Sequence, residues 1–145
     1  MAEEFVNTNP YAHRAALTLV SAWEGLNLPA ALGFTALFRM GSVTFTGLPV
    51  PRAGRLYSMT ARFSSALTAG TATVRFALNG AGVAATDLVF AAGDTVKSQT
   101  FAIPAAGASF VALDRIGFLI STSAAFLPLL DDLQMNAEIL WDDWV

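Results

Sequence analysis

Thr71-Ala72-Thr73-Val74-Arg75-Phe76-Ala77-Leu78-Asn79-Gly80 is the stretch on which the reading of the fold turns. Thr71, Thr73, Arg75 and Asn79 fall on one side of it, and Ala72, Val74, Phe76 and Leu78 on the other. A period of two belongs to a strand, because successive Cβ atoms leave a pleated backbone toward opposite faces. Asn79-Gly80 then supplies the dipeptide that tolerates positive φ in a tight hairpin.

The same rhythm extends outward in both directions. Upstream, Arg55–Phe63 alternates, with Tyr57, Met59, Ala61 and Phe63 on one face. Downstream, Arg115–Thr122 sets Ile116, Phe118 and Ile120 on one side. Near the end, Leu133, Met135, Ala137, Ile139 and Trp141 alternate with Gln134, Asn136, Glu138 and Asp142, which predicts one face in the core and one toward water. Shorter candidate strands are Phe34–Met40, Ser42–Thr46, Asp87–Ala91, Val96–Ile103 and Phe110–Leu113. Gly41, Gly47, Pro49, Pro51, Ala92-Gly93-Asp94, Pro104 and Gly107 punctuate them as turns or loops. With about eight strands and no convincing long amphipathic helix, the expected fold is all-β: a jelly-roll-like antiparallel sandwich. Strand count alone does not fix the order of pairing.

Residues 1–33 lack this rhythm. Asn7-Thr8-Asn9-Pro10 is followed by the apolar run Ala15-Ala16-Leu17-Thr18-Leu19-Val20-Ser21-Ala22-Trp23, and Asn27 and Pro29 then break regular structure. We expect an N-terminal arm over 1–33 that packs on a neighbouring surface, helical or extended, and a β-sandwich domain over 34–145. The alternative is that the run is the first strand of the same domain. Phe5, Leu17, Leu19 and Trp23 are the arm's candidate interface residues.

Composition narrows the function. The length of 145 residues suits one domain. Seven Arg and Lys97 face 11 Asp and Glu, for a net charge of −3, so no basic field invites nucleic acid as a direct partner. Cysteine is absent, which excludes disulfides, thiolate metal sites and thiol catalysis. Hydrophobic residues reach 54% and charged residues only 13%, with a mean hydropathy of +0.54. Ala15–Trp23, closed by Glu24, is too short for a membrane span, and Glu3 and Glu4 stand where a secretory signal would be basic. No membrane is expected as a partner. The apolar excess instead suggests subunit interfaces.

The search for chemistry returns little. His13 is the only histidine, no G-x-S-x-G elbow accompanies it, and a surface or interface role is the expectation. Asp131-Asp132 and Asp142-Asp143 could offer oxygens to Ca²⁺, but neither lies in a D-x-D-x-D-type loop, and solvated loop and tail charges are expected. Asn79-Gly80-Ala81-Gly82 lacks the Lys and Ser or Thr of a phosphate loop. Neither a cofactor nor a metal is expected, and an enzyme, as a carboxylate-based hydrolase, is the least favoured class. Trp141 lies on the apolar face of the last strand and should be core. Trp144, beyond that strand, is read as an anchor onto a neighbour, with stacking on a sugar as the alternative.

Three stretches, Arg55–Phe63, Gly70–Gly80 and Leu113–Thr122, preceded by the apolar N-terminal segment, together resemble trimeric virion surface modules of tailed phages. The pattern is similar to decoration, or cement, proteins of phage heads, those of thermophilic siphophages included. It also resembles trimeric fibre-tip domains and the C1q-like heads of bacterial surface filaments. The resemblance covers most of residues 34–141 and is one of architecture, without a diagnostic motif. It implies a homotrimer on the outer capsid surface at three-fold or quasi-three-fold points, holding neighbouring major capsid proteins against the pressure of packaged DNA. It carries over no catalytic residue. The alternative it leaves is a trimeric receptor- or glycan-binding tip module.

Overall fold

The computed structural model describes residues 17–36, 39–40, 43–44, 47–101, 105–129 and 131–142, with the backbone alone at 17, 21–23, 25–26, 39–40 and 43–44. Its strands are β1 (Leu17–Leu28), β2 (Thr35–Ala36), β3 (Arg39–Met40), β4 (Val43–Thr44), β5 (Leu48–Pro49), β6 (Gly54–Phe63) and β7 (Ala72–Leu78). They continue as β8 (Ala81–Gly82), β9 (Leu88–Phe90), β10 (Val96–Thr100), β11 (Ser109–Phe110), β12 (Arg115–Thr122) and β13 (Asp131–Trp141). Apart from one 3-10 turn at Ala84–Thr86, the described residues form no helix.

These segments build two antiparallel sheets. One runs β1-β13-β6-β10, with β11 pairing further along β6. The other runs β2-β12-β7-β8, with β5 pairing β12 and β9 pairing β7. Where two short segments share a neighbour, they occupy one strand position, which gives four positions in each sheet. Apart from the hairpin that joins β7 to the β8/β9 position within one sheet, successive positions alternate between the sheets, so the chain passes repeatedly from one to the other. This is the jelly-roll-like sandwich read from the sequence. A separate two-stranded ladder joins β3 and β4.

The core lies where the inner faces meet. Val74, Phe76, Phe118 and Ile120 face it from one sheet, and Met59, Ala61, Phe63, Met135, Ala137 and Ile139 from the other. Phe63 meets Phe90 edge-on at 4.9 Å, Phe76 meets Phe118 at 6.0 Å, and Phe110 meets Trp141 at 6.1 Å. Edge-to-face contacts suit the ring quadrupoles and fill space that aliphatic side chains would leave. Trp141 is buried, as its place in the alternation requires, and its Nε1 donates to Thr18 Oγ1 at 2.9 Å. The hairpin at Asn79-Gly80 forms as read: Leu78 pairs Ala81, and φ is +52° and +83° at the two loop residues.

Three expectations change. First, residues 17–28, assigned to the arm, are a strand of the sandwich. Thr18 lies opposite Ile139 and Val20 opposite Ala137, with irregular register between Val20 and Trp23 and again between Gly25 and Leu28. Residues 29–32 are also tied in: Thr122 Oγ1 donates to the Pro29 carbonyl at 2.7 Å, and Thr122 N to that of Leu32 at 2.9 Å. The division at residue 33 therefore does not separate an arm from the domain. The two irregularities account for the weak period of this segment, because each shifts the alternation out of phase. Second, Tyr57 does not share the core face of Met59. Glu138 pairs Ser58 while Ile139 pairs Leu56, so Tyr57 is the extra residue of a bulge and Leu56 takes the buried place. Third, Phe110–Leu113 is not a strand beyond Phe110, because the chain turns at residues 111–114.

Candidate interaction surface

The turn at Val111-Ala112-Leu113-Asp114 has a counterpart elsewhere in the same chain. In Ala91-Ala92-Gly93-Asp94, the Asp94 carboxylate accepts from Ala91 N at 2.8 Å, and Asp94 N donates back to the Ala91 carbonyl at 3.0 Å. In the second turn, the Asp114 carboxylate accepts from Val111 N at 2.9 Å, and Asp114 N donates to the Val111 carbonyl at 3.2 Å. Both turns hold their third residue at positive φ: +94° at Gly93 and +73° at Leu113. Such a position ordinarily takes glycine, because a Cβ there crowds the backbone. Here leucine fills it, and its side chain is 82% exposed, so burial does not repay the strain. A strained bulky residue aimed at water is the kind of outlier that marks a contact made elsewhere.

The surroundings hold this tip firmly. Asn79 Nδ2 donates to Asp114 Oδ1 at 2.9 Å, while Asn79 Oδ1 accepts from Arg115 N at 2.8 Å. The Asn79 amide, and then the Val111 N–H, keep the Asp114 carboxyl below its ordinary pKa by stabilising the charged form. Leu113 N donates to the Val50 carbonyl at 2.8 Å and Val50 N to that of Asp114 at 2.9 Å, which ties the tip to the Pro49–Pro51 loop. Pro49, Pro51, Val111, Ala112 and Leu113 are all exposed, and together they form an apolar tip at one end of the sandwich.

Both limits of the described chain lie at this end. Leu17 is opposite Leu140 and Leu140 opposite Arg55, one step from the Gly54–Trp141 and Gly54–Phe110 pairs. Asp142 N donates to the Ala53 carbonyl at 3.1 Å. Arg52 crosses the Trp141 ring with its guanidinium carbon 5.0 Å from the centroid.

Of the interface residues taken from the sequence, Leu19 is on the outer face of β1, 65% exposed, opposite Glu138. Leu17 and Trp23 have register positions opposite Leu140 and Met135. Phe5 and Trp144 fall outside the described residues, as do His13 and Asp143. Of the five, Leu19 is the one whose side chain the structure describes. It adds Val111 and Leu113, which the sequence hid: Val-Ala-Leu reads as strand, and no glycine marks the turn. The usable signal was Asp114, since Asp three residues after an apolar residue repeats the Ala91–Asp94 pattern.

The acidic pairs also look different in place. Asp131 is no solvated loop charge; it opens β13, buried. Its carboxylate accepts from Ser64 Oγ, from Ser65 N at 3.3 Å and Oγ at 3.1 Å, and from Asp132 N at 3.0 Å. It clamps the end of β6 to the start of β13. Arg75 forms a two-pronged ion pair with Asp87, at 2.6 and 2.8 Å, which raises the Arg75 pKa. The guanidinium also lies 4.0 Å from the centroid of Phe34, shielding that exposed ring. Among the described residues, no three of His, Cys, Asp and Glu gather as a metal would need. An open cleft of about 300 Å³ lies on the outer face of the β1 sheet, with Glu24, Arg62, Ser64, Asp132 and Gln134 around it.

No protein-family model matches the chain, and no curated protein matches it. Among solved structures it is similar to the GH26-CBM35 β-(1,4)-mannanase of Podospora anserina, at 14% identity and a TM-score of 0.33. That likeness covers 88% of this chain and 28% of the mannanase chain, so this chain spans little more than a quarter of that protein's length.

Proposed function

We propose that this chain is a structural virion module, a decoration protein that assembles as a homotrimer and binds the outer surface of a phage capsid through the apolar-tipped end of its sandwich. The observation that carries the reading is Leu113: a leucine in a glycine's conformation, held rigid by Asn79 and Asp114 and turned to water. A chain that bears this cost without a contact inside its own domain is suited to a contact outside it. Leu19, exposed on the outer face of β1, offers a second apolar contact. The shell contact falls to the major capsid protein, and the work is mechanical, with no covalent chemistry.

The test has two parts. Light scattering at micromolar concentration should return three times the 15.3 kDa chain mass; a monomer mass refutes the homotrimer. Gold-labelled antibody on intact particles should decorate the head, and the Leu113→Gly protein should bind stripped heads more weakly than the parent. Gold confined to the tail tip replaces this reading with the second one, a trimeric receptor- or glycan-binding tip, which has the polar cleft in its support.

A further inference from the structure

We propose that the cleft beside Arg62 binds a neutral, hydroxyl-rich ligand, the terminal sugar of a glycan. The site follows from strand register. Glu24 on β1 lies opposite Gln134 on β13, and Gln134 lies opposite Arg62 on β6. Residues paired across a ladder share a face, so a carboxylate, an amide and a guanidinium stand in one row. With strands about 4.8 Å apart, the row spans about 10 Å, the scale of one or two sugar rings. The next position in the row is Val96 of β10, 55% exposed, which sets an apolar surface beside the guanidinium.

The row offers an acceptor, then a donor with an acceptor, then a fork of donors. Vicinal hydroxyls, which both donate and accept, match that order. Asp132 extends it: its Oδ1 accepts from Asn27 N at 3.0 Å, and its own N–H donates to Ser64 Oγ at 3.2 Å, so the carboxylate is fixed with Oδ2 left for a ligand. Arg62 takes part in neither the Arg75–Asp87 nor the Lys97–Asp94 ion pair. Its donors are available. Phe63 and Leu133, both buried, complete the lining, and a volume of about 300 Å³ holds a monosaccharide.

Charge and desolvation disfavour anions, metal ions and wholly apolar ligands. One guanidinium and two carboxylates leave the lining at −1, which repels phosphate or an acidic sugar. Arg62 in turn opposes a metal cation, and among the described residues no three of His, Cys, Asp and Glu gather as a metal would need. A wholly apolar ligand would desolvate five polar side chains without replacing their hydrogen bonds.

The full chain, labelled with ¹⁵N, is titrated with glucose, galactose, mannose and N-acetylglucosamine, with sialic acid and free arginine as controls. The expected result is a saturable millimolar response to at least one neutral sugar, confined to the amides of Glu24, Arg62, Ser64 and Gln134. Gln134→Ala and Arg62→Ala, both at exposed positions, should keep the parent spectrum elsewhere and weaken binding by about ten-fold or more. No saturable shift with any neutral sugar, a preference for sialic acid or arginine, or binding that survives both substitutions overturns the assignment. The outcome is independent of capsid attachment, because the cleft lies toward the opposite end of the sheet from the Leu113 tip.

Discussion

Exchanging Leu113 for glycine should leave the protein as stable as before, or slightly more so, while weakening its assembly. Holding a non-glycine residue in the left-handed region costs about 1–2 kcal/mol, which the substitution releases. Glycine's greater freedom in the unfolded chain returns about 0.5–1 kcal/mol of that. The side chain is 82% exposed, so less than a fifth of a leucine's burial energy is lost, about 0.3 kcal/mol. The balance lies between no change and about 1 kcal/mol in favour of the variant. Urea denaturation followed by far-UV circular dichroism measures it. The reciprocal Gly93→Leu supplies the control, because a Cβ at Gly93 meets nothing within 4 Å. Its cost is that of the backbone alone, about 1 kcal/mol or somewhat more. If Leu113→Gly instead loses more than about 1 kcal/mol, Leu113 is packed inside the protomer and the reading of the tip as a strained contact falls.

Other substitutions probe the frame. Phe63→Ala removes a ring that touches both Phe90 and Phe126 and should cost about 3–5 kcal/mol in the same denaturation assay. Asp131→Ala leaves the Ser64 and Ser65 donors without their acceptor and should cost about 2 kcal/mol, read as a lower midpoint with an unchanged slope. The Asp114 carboxyl has a folded pKa below its unfolded value, so its contribution is present above the unfolded pKa and is lost as pH falls through the folded one. Below about pH 4 the parent should lose stability more steeply than Asp114→Asn, as thermal melts across an acid series would show.

The main strands were legible because their alternation is uninterrupted. In β7, β12 and β13 every second residue packs inward, and all of these are apolar except Thr122 at the end of β12 and Asp131 at the start of β13. Legibility failed where the phase slips. The bulge at Tyr57 exchanges the faces of Leu56 and Tyr57, and nothing in Arg55-Leu56-Tyr57-Ser58 announces it. The irregular register of β1 did the same to Leu17–Leu28, so an edge strand read as an arm. Pairing order was not readable at all, since it depends on contacts between segments far apart in sequence, such as β1 with β13. The cleft was hidden for the same reason. Glu24, Arg62 and Gln134 share a row only once three distant strands are in register.

Comparison of the two Asp turns shows what the sequence could still have yielded. Ala92-Gly93-Asp94 reads as a turn in the sequence, whereas Ala112-Leu113-Asp114 does not, although both use the same carboxylate-to-backbone closure. Glycine announces the left-handed position, and leucine conceals it. The concealment is itself informative. A turn that exists only to reverse the chain does best with glycine, as at residue 93, where a side chain would find open space and no partner. At residue 113 the strain is retained, the side chain is exposed, and the Asn79–Asp114–Arg115 hydrogen bonds prevent the loop from relaxing. Local folding requirements account for the turn and not for the leucine. A surface outside the chain, as proposed, would account for the leucine, and the Gly93 and Leu113 exchange separates the two contributions.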